Sequence, residues 1–152
     1  SSYYTGANVF IANTSTAYLV PIGTAYDGYK NITLSGNNSF VFNRTGKYLI
    51  NYTIQFENTD NLQNDVYVWL KLNGQNLANT TRAFTVASRK NPSITGKLVA
   101  TSPMMIVANT NDSLQFAVNS PTTANVMFIS SYSGSSMYPN TPGVVITITE
   151  AN

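Results

Sequence analysis

Bulky apolar residues recur at every second position through much of this chain, and no stretch shows the 3.6-residue recurrence of an amphipathic helix. The clearest run follows Gly46: Tyr48, Ile50, Tyr52, Ile54 and Phe56 alternate with Leu49, Asn51, Thr53 and Gln55. Successive side chains of a strand point to opposite faces, so this pattern predicts a long strand with one heavily apolar side. Shorter alternating or β-branched runs predict strands over residues 8–12, 17–22, 31–34, 39–42, 65–72, 81–87, 96–100, 104–108, 113–119, 126–130 and 144–149. Turn formers separate them: Asp27-Gly28, Ser35 to Asn38, Asn73-Gly74, Asn91-Pro92, Asn109 to Asp112, and a long surface loop over 133–143. Many short strands joined by such turns predict an all-β, two-sheet antiparallel sandwich of jelly-roll type rather than a parallel α/β sheet. In the run 65–72, Val66, Val68, Leu70 and Leu72 share one face, and Tyr67, Trp69 and Lys71 the other. Trp69 therefore either covers a loop or subunit contact, or serves as a sugar-stacking platform.

Composition narrows the function classes. A length of 152 residues suits one domain, with 1–30 as N-terminal strands and loop and 31–149 as the core sandwich. Charged residues make up 9% of the chain, against about 25% in ordinary domains, and Asn, Thr, Ser and Tyr take their place. The net charge is +2 and the basic residues are scattered, so the clustered cations that neutralise nucleic-acid phosphates are absent. No apolar run approaches the roughly 20 residues needed to cross a bilayer as a helix, which argues against membrane insertion. The opening Ser-Ser suggests a processed product or a fragment of a longer fibrous protein.

The chain has no histidine and no cysteine, so neither Ser-His-Asp nor Cys-His catalysis nor an ordinary zinc site can be built, and no disulfide staples it. Three of the six acids, Glu57, Asp60 and Asp65, fall in one Asn-rich segment. They are the only candidates for a glycosidase carboxylate pair or a calcium site, and solvated turn chemistry explains them more simply. A non-enzyme without cofactors is expected. Asn13, Asn31, Asn37, Asn43, Asn51, Asn79 and Asn111 each head a glycosylation sequon, a number that this composition nearly produces by chance.

The stretch Gly46-Lys47-Tyr48-Leu49-Ile50-Asn51-Tyr52 resembles the Gly-x-Tyr strand of the tumour-necrosis-factor and complement-head superfamily of trimeric jelly rolls. Phe40 to Thr45 is similar to the segment before that strand, although its proline is absent. Val66 to Gln75 resembles the family's aliphatic strand ending in Asn-Gly, and Ser93-Ile94-Thr95-Gly96 its Ser-x-Ser-Gly turn. Asn111-Asp112 stands where the family has Gly-Asp, and Gly143 to Ile148 stands for the final strand. The order agrees over about residues 39–149. A final strand of Val, Ile and Thr is closest in character to the divergent heads of bacterial spore filaments and of viral or phage fibres.

The resemblance implies a homotrimer in which the outward side of the long strand lines a threefold axis. Leu49, Asn51, Thr53 and Gln55 would supply that interface, joined by Gln115, Ala117, Val145 and Thr147. It also implies a head domain on a virion surface or an extracellular filament that attaches to a host-surface glycan or protein. A capping domain without its own ligand and a carbohydrate-active enzyme are the alternatives. Tyr- and Asn-rich loops suit adaptable recognition, which makes Tyr26, Tyr29, Trp69, Arg89, Tyr132 and Tyr138 the ligand-binding candidates.

Overall fold

The computed structural model describes residues 1–25 and 30–151, and every regular element within them is a β-strand. In chain order these are β1 (Ser2–Tyr4), β2 (Val9–Phe10), β3 (Tyr18–Leu19), β4 (Thr24–Ala25), β5 (Ile32–Ser35), β6 (Ser39–Phe42) and β7 (Gly46–Asn58). They continue with β8 (Asn64–Leu72), β9 (Gln75–Asn76), β10 (Arg82–Val86), β11 (Gly96–Ala108), β12 (Ser113–Asn119), β13 (Met127–Ile129) and β14 (Val144–Ala151). All pairings between them are antiparallel.

Two sheets stack as the predicted sandwich. The first runs β11-β7-β14-β1-β4, with β13 sharing β7's other edge with β14 and β2 lying beside β13. The second runs β10-β8-β12-β6-β5, with β9 beside β8 and β3 beside β12. From β6 to β13 the chain passes repeatedly between the sheets, with β8, β9 and β10 kept together in the second sheet. That crossing pattern is the jelly roll.

The alternation sets the core. Tyr48, Ile50, Tyr52, Ile54 and Phe56 are each at most 1% exposed, and they meet Phe40, Phe42, Val66, Val68, Leu70, Leu114, Phe116 and Val118 of the facing sheet. Burying each such side chain contributes about 1.5–3 kcal/mol relative to exposure. Tyr52 packs edge-on against Phe116 at 5.9 Å, and the Phe42 and Tyr48 rings lie 4.4 Å apart. Tyr48 keeps its hydroxyl satisfied by donating to the Arg44 carbonyl at 2.5 Å. Tyr52 does not: its buried hydroxyl has no hydrogen-bond partner among the described residues. Burial pushes that phenol up to about 12, with Arg82 and Ser102 pulling weakly the other way.

Turn chemistry follows the sequence at two places. Asn73 and Gly74 both take positive φ, 52° and 79°, the conformation that closes the β8–β9 hairpin. Asn111, which stands where the resembled family has glycine, takes φ 73°, a left-handed state that asparagine tolerates. Asn73 also locks the two turns together, donating to Asp112 Oδ1 and accepting from the Ser113 amide, each at 2.8 Å.

One expectation fails instructively. Residues 96–100 and 104–108 read as separate strands around Pro103, yet β11 runs unbroken through it. The register explains why. Gln55 donates its amide to Gly143 on the β14 side, so odd-numbered residues of β7 aim their backbone groups away from β11. Asn51 and Pro103 therefore form a non-hydrogen-bonded pair, and the proline nitrogen faces the open side of an edge strand. The ladder loses nothing.

Candidate functional site

The outward side of the first sheet is built by the odd-numbered residues of β7, β11 and β14. Leu49, Asn51, Thr53 and Gln55 lie on it as expected, and Val145 and Thr147 stand directly opposite Thr53 and Asn51. The face is more apolar than the β7 sequence suggests, because β11 adds Val99, Pro103, Met105 and Val107. Met105 pairs with Leu49 and Val107 with Lys47. Val99, Met105 and Val107 are 53%, 59% and 64% exposed, and Leu49 is 43% exposed. The sequence carried a signal for this. Residues 104–107 are apolar in both phases of the alternation, so whichever pair faces the core leaves the other outside.

Two of the predicted interface residues do not belong here. Gln115 and Ala117 sit on β12, in the opposite sheet. Alternation fixes which residues of a strand point away from the core but says nothing about which sheet takes the strand. Gln115 is held by Ser39 Oγ at 3.0 Å, and Ala117, between Trp69 and Leu19 in the ladder, is fully buried.

The three acids do not assemble either. Glu57 lies on the outward side of the first sheet opposite Lys97, Asp65 on the outward side of the second, and Asp60 in the turn between. Among the described residues no group of three or more acids could hold a metal ion. Each acid has its own local partner. Glu57, 7% exposed, accepts short hydrogen bonds from Thr95 and Tyr132, with Lys97 Nζ at 3.5 Å. Burial opposes its ionisation, but the hydroxyls of Thr95, Tyr132 and Ser130 and the Lys97 charge outweigh it and hold the carboxyl below the usual range. Burial and the same carboxylate push the Tyr132 phenol up. Asp60 is held low by Asn64, which donates at 2.9 Å, and Asp65 accepts from Thr85 at 2.7 Å.

The ligand-binding candidates scatter. Tyr26 and Tyr29 lie outside the described residues. Arg89 is tied through its amide to the Asp60 carbonyl, Tyr132 is committed to Glu57, and Tyr138 projects, 57% exposed, from the 133–143 loop. Trp69 sits in a concave setting. It lies on the outward face of the second sheet, in an open groove of about 670 Å³. Tyr67 and Trp69 of β8 and Asn119 of β12 form its floor; Asn76 and Thr81 come from the β9 region and Thr14 from the segment before β3. The indole N–H donates to Asn76 Oδ1 at 2.8 Å, which fixes the ring. Asn119 Nδ2 donates to the Thr14 and Thr16 carbonyls, both at 3.0 Å, and so holds the N-terminal segment as one wall.

The sequons are similarly divided. Asn31 donates to Glu150 at 2.7 Å, Asn43 donates to Thr33 at 2.8 Å, and Asn13 accepts from Ser15, so these amides are engaged within the chain. Compared with known proteins, the chain matches no family model and no curated protein sequence.

Proposed function

We propose that this chain is the trimer-forming head of an extracellular or virion filament, a non-enzymatic module that attaches to a host-surface glycan or protein. The observation that carries this reading is the uncovered strip of Leu49, Val99, Met105 and Val107 on the outward side of β7 and β11. Large side chains left in water on a flat sheet face mark an interaction surface, and a face that meets the next copy through a different part of itself makes a head-to-tail contact that closes as a symmetric ring. Asn51, Thr53 and Thr147 beside the strip supply the polar contacts of such an interface. The loops around the sandwich then remain free to meet a partner.

Light scattering on the purified chain tests the assembly: a mass three times 16.5 kDa is expected, and Met105→Glu with Val107→Glu reduces it to one chain. A wild-type monomer at micromolar concentration overturns the reading. Binding to a host-surface extract or array separates attachment from a purely structural cap, which binds nothing.

A further inference from the structure

We propose that the Trp69 groove on the outward face of the second sheet is a binding site for a neutral saccharide. The inference deepens the attachment reading and rests on it for its biological use, although it does not require the oligomer.

The lining decides the ligand class. No residue that lines the groove is charged. A nucleotide or an anionic glycan brings charge that needs a cation, and no cation lines these walls; no carboxylate lines them to pair with a cationic ligand either. Lys71 stands on the same face of β8, opposite Asn76, but does not line the groove, and Arg82 of β10 directs Nη1 to the Thr81 carbonyl at 3.0 Å. What the groove does offer is a partly exposed indole with polar groups around it. The C–H face of a pyranose is flat and apolar and packs on such a ring, while its hydroxyl edge needs paired donors and acceptors.

Those donors and acceptors are present and uncommitted. Asn76 uses only Oδ1 on Trp69, and Asn119 uses only Nδ2 on the N-terminal segment. Asn76 Nδ2, Asn119 Oδ1 and the hydroxyls of Tyr67 and Thr81 have no protein partner among the described residues. Two donors-or-acceptors, one donor and one acceptor thus surround a ring that is already immobilised. Fixing the indole beforehand lowers the ordering cost of binding. The volume, about 670 Å³, lies within the range of small-ligand sites and has room for a disaccharide.

The chain's single tryptophan is the ring in question, so its emission reports on this groove alone. The test combines a printed array of neutral and sialylated oligosaccharides with titration of Trp69 emission by lactose, maltose and chitobiose. At least one neutral saccharide is expected to bind and to shift the emission saturably. Trp69→Ala weakens that binding by roughly tenfold or more. Ala17→Arg fills the groove from its N-terminal wall, keeps the fluorophore as a folding check, and produces the same loss. Binding that survives both substitutions, binding of sialylated glycans only, or no saccharide response at all overturns the proposal. Saccharide silence from an intact trimer removes this inference and leaves attachment to a protein standing. A monomer that binds a neutral saccharide at Trp69 removes the trimer and leaves the groove.

Discussion

The two outward faces of the sandwich are made from strands with the same alternation, 13 residues each in β7 and β11 and 9 and 7 in β8 and β12, yet they have opposite characters. On the β7–β11 face, Leu49, Met105, Val99 and Val107 stand exposed, with none of the described residues laid over them. On the β8–β12 side, β3 extends the sheet beside β12, and the segment before it, tied by Asn119 to the Thr14 and Thr16 carbonyls, walls a groove around Trp69. A flat apolar surface left open suits an extended protein partner. A walled, neutral concavity suits a small polar one. The difference comes from the outward residues of β11 on one side and from the segment that leads into β3 on the other.

The sharpest test of this contrast is a double dissociation. Met105→Glu with Val107→Glu should abolish assembly and leave the Trp69 emission maximum unchanged, while Trp69→Ala should leave the scattering mass intact. Next in size is Gly96→Ala. A Cβ there would lie 1.7 Å from the Ala87 carbonyl oxygen, so the start of β11 must shift. A loss of about 3 kcal/mol in urea unfolding is expected, with assembly weakened and the groove untouched.

Glu57 gives a smaller effect with a pH signature. Its carboxyl is held below the ordinary value of 4.5 in the fold, so the ionised form is the stabilising one. That contribution is complete above about pH 4.5 and declines as pH falls through the folded value. Glu57→Gln should cost about 2 kcal/mol at neutral pH, because two hydrogen bonds to a charge and the Lys97 pair are weakened. It should also flatten the acid limb of a stability–pH curve. An unchanged acid limb would count against the assignment. Smallest is Tyr52→Phe, which removes a buried hydroxyl without a partner from between the two sheets. The variant should equal the wild type or gain up to about 1 kcal/mol in chemical denaturation.

Local alternation made much of this architecture legible. The inward faces of β7, β8 and β12 follow directly from their sequences, as does the outward position of Trp69. What escaped was non-local. Sheet membership of β12 depends on pairing with β8, so Gln115 and Ala117 were placed on the wrong surface. Proximity in sequence gathered Glu57, Asp60 and Asp65, but a strand, a turn and a strand in the other sheet set them on opposite sides. The groove needs Asn119 to reach Thr14 and Thr16, more than a hundred positions away. No window along the chain contains both.

Pro103 has a consequence beyond its own strand. With its nitrogen turned to the open rim of β11, any stray strand docking there would find a missing donor halfway along. Endless edge-to-edge addition of copies is interrupted at that residue. The rim can stay long enough to carry an apolar strip without becoming a seed for amyloid-like growth.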